Sequence, residues 1–314
     1  MRREIGWDDI ERDPQSVVTV GTFDGVHRGH QVIIEHLQAR AEARDGVSTL
    51  ISFDPHPRSV VQDGAVPLLT SVAERADVLE GLGLDRFVVI PFSAEFAQLP
   101  PEAYVERVLV ESVGLQEITV GYDHRFGRER EGDVDLLRRC GRAHGFAVDV
   151  IPPQKVDQDV VSSRRIRSLL LEEGAVARAA ELLGRPYQLS GTVARGEGRG
   201  RQMGYPTANI AVDDARKIVP RRGVYATRVV GPDGETHGGM MNIGRRPTFD
   251  EMDVTVEVHL FDFEGNLYGD RLSVQFLQRL RDEQKFDSPE ALAMQLSEDE
   301  RHCRTIVEDL GESL

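Results

Sequence analysis

GTFDGVHRGH, residues 21–30, decides how the first half of the chain is read. It follows the apolar run SVVTV (16–20) and leads into GHQVIIEHLQARAEA, where apolar residues recur at helical spacing. A strand, a glycine-bearing loop and a helix in that order place free backbone amides and the positive end of a helix dipole at the loop, which favours an anion. His27 and His30 are three apart and share a face, while Gly21, Gly25 and Gly29 allow close approach to the backbone. Two imidazoles so placed can donate to the same phosphates and stabilise charge as a bond to an α-phosphorus exchanges.

Further apolar runs read as buried strands: STLISF (48–53), RFVVIPF (86–92), EITVGYD (117–123) and AVDVIPP (147–153), with a helical pattern in PPEAYVERVLVESVG. This alternation predicts a parallel sheet with crossover helices, whose ligands bind at the carboxyl ends of the strands. The segment AVARAAELLGRPY (175–187) reads as a helix ending at Gly184 with Pro186 just beyond. After it, QLSGTVARG, GVYATRVV, HGGMMNIG, VTVEVHLFDF and RLSVQFLQRL read as successive strands of a β-barrel or sandwich. In the closing SPEALAMQLSEDERHCRTIVEDL, Ser288 is suited to cap a helix on which Leu292, Leu296, Cys303, Ile306 and Leu310 share one face. The expectation is two domains, residues 1–183 and 184–314.

The 314 residues carry a net charge of -15, which argues against non-specific nucleic-acid binding, an affinity built on neutralised phosphates. No stretch is apolar for the length a membrane span needs, and MRREIGWDDIERD is too polar for a signal peptide. Two cysteines, Cys140 and Cys303, are too few for a zinc site or a disulfide framework. The expectation is a cytoplasmic protein, monomeric or weakly self-associating, without nucleic-acid or membrane partners. Lysine occurs only at 155, 217 and 285, with no G-K-[ST], so a Walker loop is excluded. Phosphate must then be held by arginine, histidine, backbone amides or Mg²⁺.

H-x-G-H in a strand-loop-helix context resembles the signature of the nucleotidyltransferase superfamily. Together with SFDPHP (52–57), GYDHRFGREREGD (121–133) and VSSRRIRSLLLEEG (161–174), it resembles the bacterial bifunctional riboflavin kinase/FMN adenylyltransferases, and the likeness runs over nearly the whole chain. The resemblance implies a Rossmann-like α/β nucleotidyltransferase domain in which Gly21, Phe23, Asp24, His27, His30, Ser162, Ser163 and Arg167 meet ATP. It implies that Phe53, Asp54, Tyr122, Asp123 and Phe126 surround the flavin, with Asp24, Asp54 and Asp123 helping to place ribose, metal or flavin. Plainer readings also fit these residue types: N-capping for Ser162 and Ser163, core packing for Phe53, Tyr122 and Phe126, and a turn for Asp54. The chain departs from the family pattern at Arg164, where a small hydroxyl residue is usual, and at His124, where an aromatic is common.

SGTVARGEGRGRQMGYPTANI (190–210) misses G-x-G-x-x-G, because Met203 takes the last place. It offers an arginine-bearing loop for phosphates, then Thr207 and Asn209, one residue apart and on one face of a strand, as hard oxygen donors suited to Mg²⁺. An ordinary surface loop is the alternative. G-R-x-x-G-[FY]-P-T-A-N, followed by GVYA (223–226), NIGRRPTF (242–249) and EVHLFDF (257–263), resembles the riboflavin kinase domain, which implies a six-stranded barrel with a terminal helix. By that resemblance Gly198, Arg199, Gly200, Gly204, Thr207 and Asn209 bind ATP, Thr207 and Asn209 hold Mg²⁺, and Arg281 and Phe286 lie on the flavin side. Glu257 is implied as the general base. Read from alternation alone, Glu257 is a polar strand residue turned away from Val254, Val256, Val258 and Leu260. The implied substrates are ATP, riboflavin and FMN. Two other readings are a kinase with a degenerate adenylyltransferase half and a non-catalytic flavin binder.

Overall fold

Along the strand Ser16–Val20, Val17 packs into one hydrophobic cluster and Val18 into another, so this strand must be covered on both faces. A computed structural model of the chain describes residues 1–62, 64–151, 161–196, 200, 204–247 and 252–311. These divide into two compact units, Met1–Ser163 and Arg164–Leu314. The division falls ahead of the 183/184 boundary drawn from sequence.

The first unit holds a six-stranded parallel sheet ordered β1-β4-β3-β2-β5-β6, built from β1 (Arg2–Ile5), β2 (Ser16–Val20), β3 (Val47–Asp54), β4 (Arg86–Pro91), β5 (Glu117–Gly121) and β6 (Ala147–Ile151). Val17, Leu50 and Phe87 meet Ile34 and Leu37 of α1 (Arg28–Glu42) on one face. On that face they also meet Ala76 and Leu79 of the helix Val72–Gly81, which follows the short α2 (Pro57–Val61) and is numbered α3. On the other face Val18, Ile51, Val88 and Ile118 meet the segment after α4 (Pro101–Tyr104) and Leu136 and Leu137 of α5 (Val134–His144). From β2 the chain builds outward to β3 and β4, then returns to place β5 on the other side of β2. The carboxyl end of β2 is therefore a topological switch point, where open α/β sheets bind ligands.

The sequence reading misses β1, because RREI is short, polar and an edge strand. What fixes it is a buried ion pair. Arg86, with no solvent exposure, donates from Nε and Nη2 to Glu4 at 2.9 and 2.6 Å, from Nη1 to Ser16 Oγ at 3.0 Å, and to the Glu11 carbonyl. A guanidinium removed from water is tolerable only with its donors paired.

In the second unit, α6 (Ser163–Ser168) and α7 (Val176–Leu183) lead into six antiparallel strands: β7 (Tyr187–Ala194), β8 (Ala208–Val212), β9 (Gly223–Val230), β10 (Thr236–Pro247), β11 (Met252–Leu260) and β12 (Arg271–Arg281). They close as a barrel ordered β10-β11-β8-β7-β12-β9, which leaves no open edge. Its interior is filled by Tyr187, Leu189, Tyr225, Met241, Ile243, Val258, Val274 and Phe276, each buried. Ser288 Oγ accepts from Ala291 N at 3.1 Å and caps α8 (Pro289–Gly311), as expected. Leu296, Cys303, Ile306 and Val307 of α8 pack on Val224, Ala226, Met240 and Phe261 on the outside of the barrel. Leu310 of the expected stripe is exposed by 38%, and Asp299 is buried on the inner side instead.

Replacing Glu4 by alanine strands the Arg86 charge and is expected to lower stability by about 3–5 kcal/mol, the range for breaking a buried pair. The double variant Glu4→Leu/Arg86→Met should lose less than Glu4→Ala alone. Equilibrium denaturation in urea checks the order, and equal losses would show that the pair is not what holds β1.

Candidate active sites

The 21–30 loop lies at the carboxyl end of β2. His27 is the N-cap of α1, with φ -70° and ψ 170°, and its Nδ1 accepts from the amide of His30 at 3.3 Å. The two imidazoles are stacked, with centroids 3.6 Å apart and planes 13° apart. Phe23 supports them: its ring centroid is 4.7 Å from that of His30, and a Cβ on Gly21 would come within 3.0 Å of the same ring. Asp24 is fully buried, and its carboxylate accepts from the amides of Leu69 and Thr70 at 3.0–3.1 Å. Ser163 Oγ donates to the Asp24 carbonyl at 3.0 Å, and Ser162 is half-buried just before α6. Arg167 sits one turn into α6, half-buried, four residues on from Ser163.

Phe53, near the end of β3, and Phe126 are joined into one aromatic wall by residues that the motif reading omits. Phe53 meets Phe92 and Phe96 at 5.5 and 6.2 Å, Phe96 meets Tyr104 at 6.1 Å, and Tyr104 meets Phe126 at 5.7 Å. Phe92 was open to view as the last residue of RFVVIPF, at a strand end like Phe53. Nothing local marks Tyr104, which is buried with no hydrogen-bond partner for its hydroxyl among the described residues. Asp54 is the last residue of β3 and half-buried, whereas Asp123 and Tyr122 are exposed, Tyr122 by 60%. Tyr122 therefore stands apart from this wall. His124 joins it by stacking on Phe126 at 5.8 Å, and burial lowers its pKa to about 4, with Asp123 only partly opposing the shift.

The carboxyl-terminal unit has a cavity of about 790 Å³, lined among others by Gly200, Tyr205, Thr207, Glu257, Arg281 and Phe286. Strand register builds its wall: Glu257 on β11 stands directly opposite Asn209 on β8 and Asn242 on β10, and opposite residues in a ladder share a face. Thr207 Oγ1 donates to Glu257 Oε2 at 3.2 Å, while the Asn209 amide lies against Gly196, where a Cβ would come within 2.1 Å of it. Tyr205 N donates to Gly200 O at 2.9 Å, and Gly204 between them takes the left-handed φ of 84° that the turn requires. Gly198 and Arg199 lie outside the described residues, as do Pro152 and Pro153 of the expected strand 147–153.

Arg281 is held by buried Asp299 through Nε at 3.0 Å and Nη2 at 2.6 Å, and lies 5.8 Å from the Phe286 ring centroid. Sequence reasoning passed over Asn242 and His259, although both lie in quoted motifs. The carbonyl of Pro206, 2.8 Å from His259 Nδ1, can only accept, so that nitrogen carries the proton. Among the described residues no group of three or more His, Cys, Asp or Glu is arranged to hold a metal.

Comparison with known proteins bears on both halves. A family model described as FAD synthetase matches residues 9–165, and one described as riboflavin kinase matches residues 183–307. A bifunctional riboflavin kinase/FMN adenylyltransferase from Pseudomonas fluorescens is 39% identical over 92% of this chain and 92% of its own. The chain belongs to the bifunctional riboflavin kinase/FMN adenylyltransferase family. The member from Listeria monocytogenes is 36% identical over 95% of this chain and 93% of its own. A crystal structure from Streptococcus pneumoniae, described as a macrolide-efflux protein, is 30% identical and superposes with a TM-score of 0.85 over 97% of this chain and 99% of that one. In this family member, no helix among the described residues is long and apolar enough to cross a membrane. Its departure at Arg164 is solvent-exposed on α6, and the one at His124 is absorbed into the aromatic wall as a depressed imidazole.

That depression fixes a pH dependence. Between pH 6.5 and about 4 the unfolded chain binds a proton at residue 124 that the folded protein refuses, so stability falls as the pH drops through this window. His124→Phe should remove the component, worth roughly 2 kcal/mol at pH 5 at 1.36 kcal/mol per pKa unit. Urea midpoints at pH 7 and pH 5 measure it; the same acid loss in both proteins would show that His124 is not its source.

Proposed function

We propose that the carboxyl-terminal domain, residues 184–314, phosphorylates riboflavin with ATP to give FMN, and that the amino-terminal domain, residues 1–183, transfers AMP from a second ATP to FMN. The observation that carries the reading is the pairing, in one chain, of stacked histidines at the start of α1 with a carboxylate beside a threonine hydroxyl in a barrel-wall cavity. These two arrangements ask for different chemistry.

In the kinase step Glu257 accepts the proton of the riboflavin 5′-hydroxyl as that oxygen attacks the γ-phosphorus, and ADP leaves. Thr207 donates to Glu257 and so orients it, while its hydroxyl oxygen keeps lone pairs for a cation. The threonine hydroxyl and the Asn209 amide oxygen are hard, neutral donors, which fits Mg²⁺ completed by water and substrate phosphates rather than an all-protein cage. When bound there, Mg²⁺ supplies neutralisation of the phosphate charge. Arg281, fixed by Asp299, borders the flavin side with Phe286, and Gly200 and Gly204 border the phosphates.

In the adenylyl step the FMN phosphate is itself the nucleophile. It attacks the α-phosphorus of ATP, pyrophosphate leaves, and no protein base or covalent intermediate is needed. His27 and His30 donate to phosphate oxygens, Ser162 and Ser163 bind the nucleotide at the start of α6, and the wall from Phe53 to Phe126 takes the isoalloxazine. Asp24 acts through the backbone of the loop, because its carboxylate is held by the amides of Leu69 and Thr70. The free thiols Cys140 and Cys303 and the net charge of -15 fit a cytoplasmic protein, monomeric or weakly self-associating, with small-molecule partners only.

Chromatography of the products from riboflavin and MgATP tests the reading. His27→Ala should lower FAD formation about 100-fold or more while FMN still accumulates. Glu257→Gln should lower FMN formation by about 100-fold or more, and supplied FMN should restore FAD. Loss of both activities in either folded variant would defeat the assignment to separate sites.

A further inference from the structure

The loop that carries His27 and His30 is held in a conformation its own residues resist. Phe23 has φ 45° and Val26 φ 40°, left-handed values rare for an L-residue and rarer for a β-branched one. Such geometry persists only where the surroundings over-determine it.

Those surroundings form a connected set of hydrogen bonds. Ser52, on β3, donates from Oγ to the Thr22 carbonyl at 3.0 Å. Arg75, on α3, donates from Nη1 to Ser52 Oγ at 2.7 Å, and from Nη2 and Nε to the Thr70 carbonyl and hydroxyl at 3.4 and 3.5 Å. Thr70 Oγ1 accepts from Gly25 N at 3.0 Å and donates to Asp24 Oδ1 at 3.3 Å. With one proton and two lone pairs, that hydroxyl is saturated. Ser52, Thr70, Asp24 and Arg75 are all 5% exposed or less, so water does not replace a lost partner cheaply.

We infer that Arg75 and Thr70 are positioning residues for adenylyl transfer: through Ser52 and Asp24 they grip residues 22–25 from both sides and so set where His27 and His30 meet the phosphates. The inference rests on the role proposed above for the two histidines. The bonds end on the loop, at Thr22 O, Asp24 Oδ1 and Gly25 N, and not on core packing. A planar fork is required at position 75, because one group must reach Ser52 and Thr70 at once. Position 70 requires a hydroxyl, and valine has the shape without it.

The test uses the full chain and measures kcat and KM for FMN adenylylation beside riboflavin phosphorylation in the same preparation. Thr70→Val should lower kcat of adenylylation about tenfold or more, since small misplacement of reacting groups is costly. KM for FMN should stay within about twofold and riboflavin phosphorylation should be unchanged, the split expected of lost positioning and not lost binding. Thr70→Ser, which keeps the hydroxyl, should stay within about threefold of the parent. Arg75→Met and Arg75→Lys should both lose about 100-fold, because an ammonium cannot bridge both partners. If the Arg75 variants do not fold, the Thr70 pair decides. Parent-like kcat in Thr70→Val, equal losses in Thr70→Val and Thr70→Ser, or parallel loss of both activities would overturn the inference. His27→Ala run alongside separates the two levels. FAD formation surviving in it defeats the site reading, whereas its inactivity beside an unimpaired Thr70→Val defeats only the positioning role.

Discussion

The turn from β2 into α1 is the constraint on which the amino-terminal unit depends. The chain must leave the central strand of a parallel sheet at the switch point and enter a helix within a few residues, so that His27 can cap it. The geometry forces left-handed backbone at Phe23, Gly25 and Val26. The first turn of α1 and the two imidazoles then meet at one point. The same turn would relax if its neighbours allowed, which explains why buried groups from β3 and from residues 69–70 bond to it, and why Arg75 on α3 braces those groups in turn. Strain at the loop and saturation around it are two sides of one arrangement.

The barrel solves a comparable problem by register instead of by a turn. Asn209, Glu257 and Asn242 are far apart in sequence and lie side by side because β8, β11 and β10 are consecutive in the closed sheet. Shifting β11 by one residue would turn Glu257 into the interior and Val258 out of it, since side chains alternate with period two. The buried set Val256, Val258 and Leu260 therefore fixes the carboxylate as firmly as its contact with Thr207 does. The placement of this carboxylate thus follows from hydrophobic packing on the opposite face of the same strand.

This also explains what could be read from sequence. Val17 and Val18, Leu50 and Ile51, and Phe87 to Ile90 are apolar because the sheet is covered twice, and such runs stand out. β1 does not, since RREI is polar and gains its place by pairing with β4 and by the contact of Glu4 with Arg86, eighty-two positions away. The His27–His30 turn and the alternation around Glu257 were legible because each signal is local. Tyr104 in the aromatic wall, Asp299 beneath Arg281 and the Arg75–Thr70 set were not, because each takes its meaning from a partner distant in sequence. Asp299 breaks an otherwise apolar helix face, and only the guanidinium opposite it accounts for the break.

A protein of net charge -15 that handles polyphosphates must obtain its attraction locally. At physiological ionic strength the Debye length is about 8 Å, so acidic groups farther off are largely screened, and donors in contact decide binding. The helix ends show how the local field is arranged. α3, α5 and α8 each carry an acidic residue in the first turn, which neutralises the positive end of the helix with the chain's own carboxylates. α1, like the shorter α2, α6 and α7, carries none, and its N-cap is an imidazole. No acidic side chain in the first turn of α1 offsets its dipole, and Asp24, the carboxylate nearest in sequence, is buried and held by protein amides and a hydroxyl. With that carboxylate occupied by the protein's own donors, the proposed triphosphate contact would meet a helix dipole and imidazoles instead of a free negative charge.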